Sequence, residues 1–176
     1  LSPLTPGLIS YTLMMAKKTA MDNLVWDAKQ TSDAPTVAES GHSSTYCYHA
    51  DITTAESALA NDEYSSARYH VTAADFAHLH QKEMTLSFWH KHTKTGTCCV
   101  SIGNSAGDRY YVATYTQSVS DTWEKATITL TGDTSGTWLY AGTGIGMHIS
   151  FVLASGSDYH ATANTWTAGF KVGVTG

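Results

Sequence analysis

Charged residues are scarce in this sequence. They make up 14% of the 176 residues, and 10 Lys and Arg against 15 Asp and Glu leave a net charge of -5. A protein that neutralises a nucleic-acid backbone needs a clustered basic surface, and no stretch of the chain supplies one. The charge therefore argues against nucleic acid as a partner.

Long apolar runs are also missing, since no stretch approaches the roughly 18 consecutive apolar residues of a membrane helix. No membrane span is expected. Cysteine is rare too: Cys47, Cys98 and Cys99 cannot all pair, so the sequence predicts no disulfide framework. As neighbours on a strand, Cys98 and Cys99 point to opposite faces, which favours packing over redox or metal chemistry.

The residues that are abundant favour β-structure. Thr and aromatic residues suit a pleated, half-buried surface, whereas Glu, Lys, Leu and Gln, which favour helices, are few. The length is that of one ordinary domain. We therefore predict an all-β fold, a two-sheet antiparallel β-sandwich over residues 21–176. An irregular N-terminal arm or connector over residues 1–20 precedes it, with two of the three prolines.

Alternation of apolar and polar residues marks the clearest strands. The segment "MTLSFWHKHT" places Met84, Leu86 and Phe88 on one face, and "TWEKATITLTG" and "GMHISFVLASG" alternate in the same way. The short "TKTG" predicts a β-hairpin from the first of these strands to the next strand, "TCCVSIGN". Thr72, with Asp75 three residues later, predicts a capped helical turn.

Two histidines, His90 and His92, lie two residues apart on one face of the "MTLSFWHKHT" strand, a spacing that metal sites use. A zinc site needs a third and a fourth ligand, and no Cys-x-x-Cys or His-Glu-x-x-His motif completes one. His78 and His80 form a similar pair upstream, so the four imidazoles could in principle converge. We prefer the plainer interpretation that His90 and His92 mark the solvent end of a strand whose core residues stop at Phe88, and we predict no metal.

Carboxylates in the strand-rich region lie mostly in turns. Asp108, Asp133 and Asp158 have Gly and Ser neighbours, which is typical of turns. A glycosidase needs two carboxylates facing one bond, and the pattern places no such pair on adjoining strands. The glycine-rich "GTGIG" lacks the flanking strand and helix of a nucleotide-binding motif. We therefore expect neither an enzyme nor a cofactor. A calcium ion would suit the oxygen ligands of the turns at Asp108 or Asp133, but their low ligand density does not predict one.

Aromatic residues are the remaining candidates for a site. Trp138 and Tyr140 stand in the loop-like "TSGTWLYAGTG", and Trp166 follows "HATANT". Exposed rings hold sugars because a ring covers the apolar face of a pyranose while amides and carboxylates bond its hydroxyls. Core packing explains these three rings equally well. In a glycan site, Asp133 and Asn164 would be the hydroxyl partners.

Several motifs carry a family resemblance. They are "LSFW" (86–89), "KTG" (94–96), "YT" (115–116), "TWEK" (122–125), "DTSGTW" (133–138) and "LASGSDYHATANTWTAG" (153–169). Together they resemble a domain of bacteriophage and prophage virion proteins, related in fold to jelly-roll carbohydrate-binding modules. The resemblance covers roughly residues 21–169 and is specific from residue 85 onward. His90 and His92 stand where this family has aliphatic or small residues, so it gives no support to a metal role.

The resemblance implies a non-enzymatic jelly-roll module on the virion surface, as a capsid decoration or a fibre component. Its partners would be other virion proteins and further copies of itself in a homo-oligomer. The arm would attach it to the particle or to a sister subunit. The candidate contact residues of the arm are Leu1, Leu4, Leu8, Ile9, Tyr11 and Leu13. The alternative hypothesis is an adhesin module that binds a host receptor or cell-surface glycan, and a glycoside hydrolase ranks last.

Overall fold

The structure, a computed structural model, describes residues 15–19 and 24–175, and within them the chain is mostly β. The strands are β1 (Met15–Thr19), β2 (Val25–Thr31), β3 (Cys47–Thr54), β4 (Tyr64–Thr72), β5 (Glu83–His90), β6 (Gly96–Asn104), β7 (Arg109–Gln117), β8 (Glu124–Thr131), β9 (Ile145–Ser155), β10 (His160–Ala161), β11 (Trp166–Ala168) and β12 (Gly173–Val174). The short helices are α1 (Val37–Ser40), α2 (Ala73–Phe76) and a 3-10 turn (Ser157–Tyr159).

Six strands form the main sheet, in the order β1-β4-β9-β6-β7-β11, and neighbouring strands run antiparallel. β5 pairs antiparallel with β8 in a separate sheet. Apolar residues of both sheets share one core cluster, in which Val100 and Ala113 are fully buried. Removing these surfaces from water stabilises the two sheets together. The several antiparallel sheets confirm the all-β architecture, whereas the jelly-roll topology stays a prediction.

The opposite face of the main sheet is covered by the C-terminal segment. The Ser101 hydroxyl donates a hydrogen bond to the carbonyl oxygen of Lys171 (2.6 Å), and Val172 is fully buried. The ring of Phe170 lies 5.0 Å from that of Tyr110. Both faces of β6 are therefore covered.

The predicted hairpin between β5 and β6 is wrong. β5 pairs with β8, whereas β6 pairs with β7 on one side and β9 on the other. β6 is a central strand with both edges taken, and β5 belongs to the sheet that faces it across the core. The link "TKTG" has the composition of a hairpin turn, but it carries the chain from one sheet to the other.

Alternation predicted the buried faces well. On β8, Ala126, Ile128 and Leu130 are buried while the residues between them are exposed. On β5, Met84 is buried and Thr85 exposed. The alternation of apolar and polar residues thus identified which side of β5 and β8 meets the core.

The end of the predicted arm forms a strand. Residues 1–20 were expected to be irregular, but Met15–Thr19 form β1, which pairs antiparallel with β4 along the edge of the main sheet. Edge pairing satisfies backbone groups of β4 and needs no apolar alternation, so the sequence pattern gave no sign of it. The candidate contact residues Leu1, Leu4, Leu8, Ile9, Tyr11 and Leu13 lie outside the described residues.

β2 and β3 form a two-stranded sheet whose side chains are largely exposed. The indole N–H of Trp26 donates to the hydroxyl of Ser65 on β4 (2.9 Å). Lys91 forms an ion pair with Asp33 in the segment that joins the two strands. These contacts tie the small sheet to the rest of the domain. In the part of the chain that the structure describes, no helix is long and apolar enough to cross a membrane.

Candidate functional site

An aromatic cluster forms where α2, the loop 132–144 between β8 and β9, and β11 meet. Trp138 stacks on Phe76, with ring centroids 5.1 Å apart and an interplanar angle of 27°. Trp166 meets Trp138 edge to face at 5.5 Å. Offset stacking and edge-to-face contacts are the arrangements that aromatic rings prefer. Two of the three rings that the sequence singled out are therefore in direct contact.

The third ring, Tyr140, reaches the same cluster through a histidine. His80 stacks on Tyr140 at 4.1 Å and 12°, and His80 also meets Phe76 at 5.8 Å. Tyr140 is 50% exposed, the most exposed of the three candidate rings. We refer to His80, Trp138, Tyr140 and Trp166 as the aromatic face.

Phe76 anchors this face from below because of the helical turn α2. The hydroxyl of Thr72 accepts a hydrogen bond from the backbone N–H of Asp75 and donates to its carboxylate, so the predicted cap is confirmed. The turn directs Phe76 into the core, where it is 1% exposed. The face therefore rests on a buried residue.

Both tryptophan N–H groups are used within the molecule. The indole of Trp138 donates to the carbonyl of Ser135, and that of Trp166 donates to the carbonyl of Thr131, each at 2.8 Å. Both residues are half-buried. A ligand would therefore meet ring surface on these two residues, while polar recognition would come from other groups.

Asp133, which was predicted to bind the hydroxyl groups of a sugar, is 8% exposed, and both of its carboxylate oxygens contact other residues of the protein. One oxygen forms an ion pair with Arg109, and the other accepts the backbone N–H of Ser135 (3.0 Å). In this arrangement the carboxylate holds the start of the loop 132–144.

Asn164, the other predicted partner, is exposed and stands two residues before Trp166. Its backbone has a φ of 59°, in the left-handed region that Asn tolerates better than most residues. Its N–H donates to the carbonyl of Val112 (2.8 Å). Its backbone therefore fixes the short segment that leads into β11.

Sequence reasoning missed three residues that organise the aromatic face. His80 was considered only for metal binding, and Asn104 and Arg109 were not considered at all. Asn104 is fully buried, and its amide bonds to Asp108 and to the carbonyl of Thr137. Nothing in the order of residues connects the turn after β6 with a loop some thirty positions later, so only the fold identifies this contact.

His90, the last residue of β5, and His92, two residues beyond it, occupy a different environment from the one predicted. His90 is 7% exposed, so it is not at the solvent end of the strand. Its Nδ1 lies 2.8 Å from Oε1 of Gln117, and the backbone N–H of His92 donates to the same oxygen (3.2 Å). The core continues past Phe88 because Gln117 offers a buried acceptor. Within residues 15–19 and 24–175, no group of three His, Cys, Asp or Glu side chains is placed to hold a metal.

Comparison with known proteins found no matching family model, no matching curated protein and no matching solved structure. The resemblance to phage virion domains therefore depends on the sequence motifs alone.

Proposed function

We propose that this chain is a non-enzymatic surface module of a bacteriophage virion that binds a glycan receptor through its aromatic face. The observation that carries the proposal is the grouping of Trp138, Tyr140 and Trp166 in one connected cluster of rings, with Tyr140 half exposed. Rings held in this way offer apolar area to a pyranose with little entropy to lose on binding.

Tyr140 is the primary contact in this proposal. The imidazole of His80 covers one side of its ring and holds it in place, as the 4.1 Å stacking distance indicates. Trp138 and Trp166 add ring surface beside it, and Asn164 is the exposed amide of the neighbouring segment. Loss of a stacking ring typically costs about 1–3 kcal/mol of binding free energy.

The carboxylates near the aromatic face favour binding over hydrolysis. Asp133 is paired with Arg109, and Asp108 accepts a hydrogen bond from Asn104. A hydrolase needs one carboxyl group to give up a proton and another to act as base or nucleophile. Carboxylates committed to such partners are poorly suited to that exchange.

The virion location comes from the motif resemblance, which also implies the jelly-roll sandwich. In this proposal the arm attaches the module to other virion proteins or to a second copy of the chain, so that the aromatic face points outward. Structural attachment and receptor binding are then two tasks of one molecule.

A printed array of bacterial surface polysaccharides tests the glycan site. We expect the full chain to bind a subset of the array, and Tyr140→Ala to weaken that binding. Tyr46→Ala is the matched control, because Tyr46 is 52% exposed and lies before β3, outside the aromatic face. Trp138→Phe and Trp166→Phe keep an aromatic ring in the core while changing its outer surface.

Unchanged binding in all three variants of the aromatic face would exclude this site. An array on which the full chain binds no glycan would exclude glycan recognition and leave attachment to the particle as the function.

A further inference from the structure

Asn104 is a fully buried amide at the end of β6, and its oxygen organises the turn to β7. The Oδ1 atom accepts the backbone N–H groups of Asp108 (3.1 Å) and Arg109 (3.2 Å). Because these two donors fix which atom is the oxygen, the nitrogen of the amide must point the other way.

The amide nitrogen of Asn104 reaches the aromatic loop. Nδ2 donates to the carbonyl oxygen of Thr137 (2.9 Å) and to the carboxylate of Asp108. Thr137 immediately precedes Trp138. One side chain thus joins the β6–β7 turn to the backbone that carries a candidate ligand-binding ring.

A second set of contacts holds the same loop against the same turn. Arg109 forms an ion pair with the buried Asp133 at the start of the loop. Gly136 has a φ of 79°, and a Cβ atom there would lie 2.2 Å from Cγ of Arg109. The loop passes so close to the turn that only glycine fits at this position.

We propose that Asn104 is a positioning residue that sets the conformation of the aromatic face. This inference rests on the proposed function, since it assigns the glycan-binding role to the rings that Asn104 positions. Without the amide, the carbonyl of Thr137 and two N–H groups of the turn lose a buried partner, which is unfavourable. The loop then samples more conformations, and binding must pay the cost of ordering it.

The test is a fluorine NMR spectrum of the full chain labelled with 5-fluorotryptophan. The chain has five tryptophans, so each signal is assigned by replacing one Trp with Phe. Asn104→Ala is compared with Gln117→Ala. Gln117 is also a fully buried amide, but it bonds the carbonyls of Val119 and Thr122 in the loop after β7.

A second pair of variants leaves the buried amides intact. Gly136→Ala introduces the clash with Arg109, whereas Gly142→Ala changes a glycine of the same loop with a similar φ of 76° and no atom within 4 Å of the new Cβ. Both variants carry the strain of an alanine at positive φ, so their difference reports the contact with the turn. If Asn104→Ala does not fold, this pair decides the question.

We expect Asn104→Ala and Gly136→Ala to shift or broaden the signals of Trp138 and Trp166. We expect Gln117→Ala to move the signal of Trp123, next to Thr122, and to spare those two. The inference is overturned if the signals of Trp138 and Trp166 stay in place in both Asn104→Ala and Gly136→Ala. It is also overturned if they move equally in the matched controls, Gln117→Ala and Gly142→Ala.

Binding to the array polysaccharides supplies the functional readout. We expect Asn104→Ala to weaken binding by about tenfold or more, and Gln117→Ala, at comparable loss of stability, to leave it within about twofold. Equal losses in the two variants would overturn the positioning role. If the wild-type chain binds no polysaccharide, the proposed function fails, while the NMR comparison still decides whether Asn104 positions the loop.

Discussion

Gln117 shows how single buried polar residues determine local structure in this protein. Its Nε2 donates to the carbonyls of Val119 (2.7 Å) and Thr122 (2.8 Å), so its Oε1 is an acceptor. The Nδ1 atom of His90, which contacts this oxygen, must therefore carry a proton. His90 thus serves the core as a hydrogen-bond donor.

The neighbouring His92 makes stability sensitive to acid. Burial lowers the pKa of His92 below 6.5, and the nearby His90 lowers it further, because both disfavour the imidazolium form. Below pH 6.5 the unfolded chain therefore binds more protons at this residue than the folded chain does. The free energy of unfolding should decrease as the pH falls through this range.

Urea unfolding curves at about pH 7.5 and pH 5.5 measure this effect. We expect His92→Asn to lose less stability between the two pH values than the wild type does. His42→Asn is the control, because His42 is exposed on the chain surface. An equal loss in the wild type and in His92→Asn would mean that other groups cause the acid sensitivity.

At the scale of elements, the sequence predicted the strands better than their partners. The buried positions on β8, such as Ile128, follow from alternation, because that pattern reflects which side of a strand meets the core. The pairing of β5 with β8 joins segments some forty residues apart, and local sequence carries little information about such contacts. The short "TKTG" link was therefore assigned to the wrong kind of connection.

The candidate site was likewise predicted only in part from the sequence. Composition and loop context singled out Trp138, Tyr140 and Trp166, and the fold brings their rings into one connected cluster. The supporting contacts of His80 and Asn104 depend on α2 and the β6–β7 turn approaching the loop 132–144. No local pattern encodes that approach, so these residues could not be found from the sequence.

The main sheet and the β2–β3 sheet should differ in how much stability they lose on substitution of an isoleucine. Ile102 on β6 is 1% exposed in the main core, whereas Ile52 on β3 is 43% exposed. Truncating a fully buried isoleucine removes apolar burial and leaves a cavity, so we expect Ile102→Ala to lower the free energy of unfolding by about 2–5 kcal/mol. We expect Ile52→Ala to change it by about 0.5 kcal/mol or less.

Equilibrium unfolding in urea checks both variants. A loss of stability in Ile52→Ala that matches the loss in Ile102→Ala would indicate that the β2–β3 sheet is covered by a partner in solution.

At the scale of the whole molecule, the three free cysteines report how firmly the fold encloses its side chains. Cys98 packs beside the core, and Cys99, on the opposite face, has its thiol close to the backbone of Val174. Burial raises the pKa of all three thiols, including that of Cys47. Because the thiolate is the reactive form, folding should slow their alkylation.

Intact-mass analysis during treatment with iodoacetamide tests this expectation. We expect slow labelling of the folded chain near pH 8 and rapid addition of three groups once urea unfolds it, since the chain has three cysteines. Native labelling at the unfolded rate would mean that the thiols are not protected by the fold.

The proposed function requires the whole molecule to attach to a phage particle, and two deletions would separate that attachment from folding. Removing residues 1–14 leaves β1 in place, whereas removing residues 1–19 also deletes β1 and exposes backbone N–H and C=O groups along β4. We expect the shorter deletion to keep wild-type stability but to disappear from purified virions. We expect the longer deletion to lose stability as well, and to aggregate through the open edge.

Imaging of virions, together with the number of copies per particle, provides the measurement. Wild-type copy number after removal of residues 1–14 would exclude those residues as the attachment and place it elsewhere in the chain. Loss of copies with a stable fold would assign attachment to residues 1–14, because every described strand is still present in that variant. Many symmetric copies on the capsid would favour a decoration, whereas a few copies at the tail tip would favour receptor binding through Tyr140 and its neighbours.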